Sequence, residues 1–139
     1  MTKSRLHLYL LLLCFGGVVG LVGLIGSADA RESSKWQGYL IDRLCMKTVK
    51  DDPKPKDFIH HHTKSCLLMP ACKKSGYTLY TEGNWLMLDE RGNKLAIEVI
   101  KASKRESEFF VEVEGRQTKD LIKVSRIREI EPKEEAKKQ

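Results

Sequence analysis

None of the four cysteines forms a Cys-x-x-Cys pair. That argues against a thioredoxin-like dithiol reaction and against the paired cysteines of a zinc finger. No glycine-rich loop follows a strand-like segment, so a phosphate cradle of that type is missing. The glycines from Gly16 to Gly26 sit inside an apolar run and do not make one. Lysines and arginines are interleaved with acids along most of the chain. A single-strand nucleic-acid binder needs a basic groove set with aromatics, so no nucleic acid is expected as partner. No nucleophile, base and orienting acid stand out as a set, and a non-enzymatic protein is expected. No internal repeat is visible.

There is one long hydrophobic run. Lys3 and Arg5 precede an apolar stretch from Leu6 to Gly26, and Ser27-Ala28-Asp29-Ala30 follows. This is the order of a secretory signal peptide cleaved after Ala30. Twenty-one residues would also span a bilayer, so a retained anchor through residues 6–26 is the alternative and the membrane contact expected in that case. Either way, residues 31–130 are expected as one small exported domain, periplasmic or secreted, in a compartment where disulfides persist. Residues 131–139 read as a charged, disordered tail.

The whole chain has 139 residues and a formal charge of +6. Removing Lys3, Arg5 and Asp29 with the first thirty residues leaves +5. A domain of that size often leans on a disulfide, a metal or a partner.

The folded part reads as mainly β. Trp36 to Ile41 is the first strand, with Gly38 marking a bulge or a close approach of backbone. Lys50 to Lys56 holds two prolines and reads as loop. Ser65 to Lys74 reads as one short helix, or as two turns separated by Pro70. Tyr77–Thr81 and Trp85–Leu88 are strands joined by Glu82-Gly83-Asn84. Asp89 to Asn93 reads as a turn. Leu95, Val99 and Ala102 recur at helical spacing in a short helix from Lys94 to Ser103. Phe109, Val111 and Val113 alternate with Glu112 and Glu114 in the fourth strand, and Gly115 to Asp120 is a turn region. Leu121 to Ile130 is the last strand. Neither of its parities is cleanly apolar, which implies a bulge or a side switch. Five strands with a helix before the fourth give a small OB-like barrel. Trp36, Leu86, Leu88, Val111, Val113 and Val124 are the expected core.

The distinctive stretch is the insertion after the first strand. It holds Cys45, Cys66 and Cys72 and the triplet His60-His61-His62. A disulfide from Cys45 to Cys66 or Cys72 would tie the insertion to the end of the first strand, contributing roughly 2–4 kcal/mol. Cys66 and Cys72 are too far apart on one continuous helix, but a break at Pro70 permits their pairing. The main expectation is therefore an exported binding or structural module stabilised by a disulfide. The alternative is a soft-metal binder: His62, Cys66, Met69 and Cys72 recur at steps of four and three, with Cys45 able to replace Met69. Those donors suit Cu(I) first and zinc second. A third reading is a reactive thiol beside Lys64, Lys73 and Lys74 with a lowered pKa. Asp42 is the best candidate for a buried acid, and its ordinary role is a cap at the strand end.

Gly38-Tyr39-Leu40-Ile41-Asp42-Arg43-Leu44-Cys45 resembles the Gly-x-x-x-Asp-x-x-Cys opening of a group of small exported bacterial proteins. His62 to Cys72, with its Cys-x5-Cys pair, resembles the second motif of that group. Val111-Glu112-Val113-Glu114-Gly115 and Ile122-Lys123-Val124 resemble its closing hairpin. The resemblance implies export and an OB-like domain from Trp36 to about Ile130, and it implies no catalytic residues.

Overall fold

The computed structural model describes residues 33–132. The expected signal peptide (1–30) and most of the expected tail (133–139) lie outside the described residues. Five strands are present: β1 (Ser34–Asp42), β2 (Tyr77–Thr81), β3 (Asn84–Leu88), β4 (Phe110–Thr118) and β5 (Leu121–Glu129). They close into a barrel in the order β1-β2-β3-β5-β4, with β4 returning to β1. All pairings are antiparallel except β3 with β5, where Met87 faces Leu121 and Leu88 faces Ile122. This is the OB-like barrel expected, with its insertion after the first strand and a helix before the fourth. Closure leaves no long open edge. No helix among the described residues is long and apolar enough to cross a membrane.

Period-two patterning places the core. Phe109, Val111 and Val113 turn inward and are buried, together with Leu79, Leu86, Leu88 and Ile122. Trp36 is only partly buried and packs against that core from its margin. Glu112, of opposite parity to its apolar neighbours, is also buried. It is held by Gln37 and by Arg128, whose Nε lies 2.9 Å from the carboxylate.

The irregularity expected in the last strand is there. Glu114 pairs with Arg126 and Gly115 with Val124, so Ser125 is the extra residue. The step moves the buried side from Ile122 and Val124 to Ile127, which explains why neither parity is apolar throughout. Gly38 marks a close approach, as expected. A Cβ there would lie 2.2 Å from the carbonyl oxygen of Tyr80 on β2.

Helix boundaries depart most from expectation. The insertion contains four short helices: α1 (Arg43–Val49), α2 (Pro55–His61), α3 (Lys64–Leu67) and α4 (Pro70–Ser75). Proline opens both α2 and α4, because the first helical position needs no donated N–H. Thus Pro55 starts a helix where a loop was expected, and Pro70 starts the second of two pieces. The helix before β4 is α5 (Glu90–Ala102), longer than expected. Asp89 is its cap, its carboxylate accepting from the Gly92 N–H at 2.8 Å. The polar run Asp89 to Asn93 is therefore the first turn of the helix. On β4 the strand continues through Gly115 to Thr118, and the turn shrinks to Lys119-Asp120.

Candidate metal centre

β1 ends at Asp42, which pairs with Tyr77 at the start of β2. The first and last residues of the insertion therefore meet at one end of the barrel. Arg43 N–H donates to Gly76 O at 2.8 Å, and Leu44 N–H donates to Ser75 Oγ at 3.2 Å. These bonds set the start of α1 against the end of α4. Gly76 makes the exit from α4 possible: its φ is +82°, and Asn93, which accepts from Tyr77 N–H at 2.8 Å, occupies the space a Cβ would need. Ser75 Oγ–H bonds back to Cys72 O at 2.7 Å. Tyr77 O–H reaches Leu67 O at 2.7 Å and fixes α3.

Asp42 is fully buried. Its Oδ1 accepts from Cys45 N–H at 2.9 Å and so caps α1. An N-cap side chain and the side chain three residues on lie together, as in a capping box. Here the third position is a thiol, so carboxylate and sulfur converge. Its other oxygen, Oδ2, accepts from His62 Nε2–H at 2.9 Å. His62 ends α2, is buried, and stacks on Phe58 with ring centroids 5.1 Å apart. From α4, Cys72 completes the group. The carboxylate oxygen of Asp42 and the sulfurs of Cys45 and Cys72 all lie within 4.8 Å of one another.

The three groups perturb one another. Burial would raise the Asp42 carboxyl, but hydrogen bonds from His62 and from the Cys45 amide and thiol outweigh it and hold the carboxyl below its usual range. Burial pushes the Cys45 thiol up to about 12, and the Asp42 charge adds to that. Cys72 is raised for the same reasons, burial first and Asp42 second. The reactive-thiol reading is therefore not supported at these two positions: both are held protonated, opposite to an activated nucleophile.

The disulfide expectation is corrected. Cys45, Cys66 and Cys72 are all free thiols. The closest Sγ–Sγ separation is 4.5 Å, more than twice a disulfide bond of about 2.05 Å. The bonds from Arg43 to Gly76 and from Leu44 to Ser75 set α1 against α4, with the Asp42 carboxylate beside both thiols.

Of the metal set expected from sequence, Cys72 is in the cluster, and so is Cys45, which was the substitute for Met69. His62 stands behind the cluster, bonded to Asp42. Cys66 is half-buried on α3, and Met69 is 52% exposed at the entrance to α4. Asp42 is the member that donor spacing alone missed. The signal was present as Asp-x-x-Cys at a strand-to-helix junction, where capping geometry brings the two side chains together. No family model, curated protein or solved structure matches the chain.

Proposed function

We propose that this protein is an exported metal-binding module that holds a thiophilic divalent ion, zinc foremost, through Asp42, Cys45 and Cys72. The observation that supports it is the convergence of three acidic donors, Asp42 and Cys72 buried and Cys45 half-buried, within 4.8 Å of one another. Without a cation, two of the three groups are kept neutral by protons. A bound divalent ion displaces those two protons and supplies two positive charges in their place, so the net charge of the site is unchanged. Around tetrahedral zinc, donors lie about 3.5 Å apart, so ligation would draw the cluster in by roughly 1 Å. A carboxylate in place of a thioether shifts preference from Cu(I) toward zinc, because zinc accepts mixed sulfur and oxygen donors. His62 then acts through Asp42: its N–H fixes which carboxylate oxygen is turned to the metal.

A zinc titration with thiol alkylation tests this. We expect one ion per chain, about two protons released on binding, and protection of Cys45 and Cys72 from alkylation. Asp42→Asn, Cys45→Ser and Cys72→Ser should each weaken binding by about a hundredfold or more. Millimolar affinity in the unsubstituted protein, or unchanged affinity in Cys72→Ser, would rule the site out.

A further inference from the structure

Four aromatic side chains stand in one row across four strands. Phe110 on β4 faces Tyr39 on β1, Tyr39 faces Tyr80 on β2, and Tyr80 faces Trp85 on β3. Directly opposed residues point to the same side of a sheet. The sequence neighbours of these four, Leu40, Leu79, Leu86 and Val111, fill the barrel, so the row lies on its outside. Its rings touch. Tyr39 and Phe110 have centroids 4.8 Å apart, and Tyr80 and Trp85 4.6 Å. His60, from α2, lies 5.3 Å from Tyr39 and extends the row. α2 covers part of it, packing Ile59 with Tyr80, but Tyr39, Phe110 and Trp85 stay only half-buried.

Two cavities open beside the row. The larger, about 590 Å³, is lined by Tyr39, Tyr80, Phe110, His60, Gln37 and Thr81 among others. The second, about 450 Å³, shares Thr81 and Glu82 with it and carries Trp36, Trp85, Asn84 and Gln117. Charge in the lining balances: Lys56 and Lys119 stand against Glu82 and Asp120. Its neutral polar groups are held in place. Thr81 Oγ1–H donates to Gln37 O at 2.7 Å, and Gln37 Nε2–H donates to Glu112 at 3.1 Å, which leaves the Gln37 amide oxygen as an acceptor. Among the described residues, His60 Nε2 is the buried side-chain polar atom with no hydrogen-bond partner. Such an atom is costly unless a group from outside the chain meets it.

This lining discriminates among ligands. Single-stranded nucleic acid needs a basic groove, and here the charges cancel. An acyl chain would leave His60 and the amides unpaired. A sugar ring brings a flat C–H face for the aromatic rings and a rim of hydroxyls that both donate and accept. We infer that the two cavities bind a neutral oligosaccharide, its rings laid against the aromatic row and its hydroxyls hydrogen-bonded to His60, Gln37 and Asn84. Because the cavities meet at Thr81 and Glu82, they take successive rings of one chain. The site lies at the opposite end of the β1–β2 ladder from Asp42, and it does not depend on a bound metal.

The test is titration of the purified protein with linear hexamers of glucose and of N-acetylglucosamine, read by calorimetry and by tryptophan emission. We expect saturable binding of at least one hexamer, a shift in emission from the indoles of the second cavity, and no dependence on salt. Tyr39→Leu keeps apolar bulk and removes the flat ring, and it should weaken binding about tenfold. His60→Ala should weaken it about fivefold. Both variants should keep the parent circular dichroism. A thymidine hexanucleotide should not bind. Failure of both sugar hexamers to saturate, or sugar affinity unchanged in both variants, would overturn the inference. So would preferential, salt-sensitive binding of the hexanucleotide, because the row would then serve nucleic acid.

Discussion

Asp42 caps a helix, accepts from a buried histidine and faces two thiols at once. Its burial is tolerated because each oxygen has a donor. Removing His62 takes away the donor to Oδ2, so His62→Ala should lower zinc affinity about 10- to 100-fold, as loss of a partner behind a metal ligand does. Isothermal titration reads this directly, and unchanged affinity would mean that His62 serves packing alone. The shifts of Cys45 and Asp42 also predict a pH dependence for the metal-free protein. Cys45 has its folded pKa raised, from 9.0 in the reference state to about 12. Its contribution is complete below about pH 9 and is lost as pH rises toward 12. Asp42 has its folded pKa lowered below 3.8, so its contribution is complete above that value and is lost as pH falls through the folded pKa. Chemical denaturation of the metal-free protein should therefore show a plateau from about pH 4 to 9, with declines at both ends. Cys45→Ser should remove its share of the alkaline decline.

At the scale of elements, the site depends on junctions more than on helices. α1, α3 and α4 have seven, four and six residues, too short to persist without the barrel. What holds them is the strand-end pairing of Asp42 with Tyr77 and the hydrogen bonds around Gly76. Gly76→Ala would force a side chain into positive φ and against Asn93. It should destabilise the fold by about 1–2 kcal/mol and loosen metal binding as well, since α4 carries Cys72. Asp89 plays the matching part for α5: besides capping that helix, it accepts from Val124 N–H at 3.2 Å and joins it to β5. Asp89→Ala should cost about 1–2 kcal/mol in a urea unfolding curve while leaving zinc affinity per folded molecule unchanged. The two substitutions together separate stability from site geometry.

At the scale of the whole molecule, alternation and turn residues made the barrel readable. Val111 and Val113, the mixed parity of Leu121–Ile130 and the tight approach at Gly38 are all consequences of local pattern. The helices of the insertion were harder to read. Pro55 and Pro70 look like breakers, and only their place at the first helical position turns them into starts. The site was half readable for a related reason. Cysteine and histidine spacing led to one element, whereas the cluster joins the end of β1, the start of α1 and the middle of α4, which only barrel closure brings together. Asp42 belongs to the strand and to the helix at once, and a reading made one element at a time marked it as a buried acid and a cap, both of which it is, without making it a donor beside the cysteines.

The most direct test of the metal centre is zinc-edge X-ray absorption on the one-to-one zinc complex. Two sulfurs at about 2.3 Å, with the remaining ligands oxygen or nitrogen at about 2.0 Å, are the predicted shell. One sulfur should be lost in Cys45→Ser and one in Cys72→Ser. A shell without sulfur, or one unchanged by either substitution, would contradict the account.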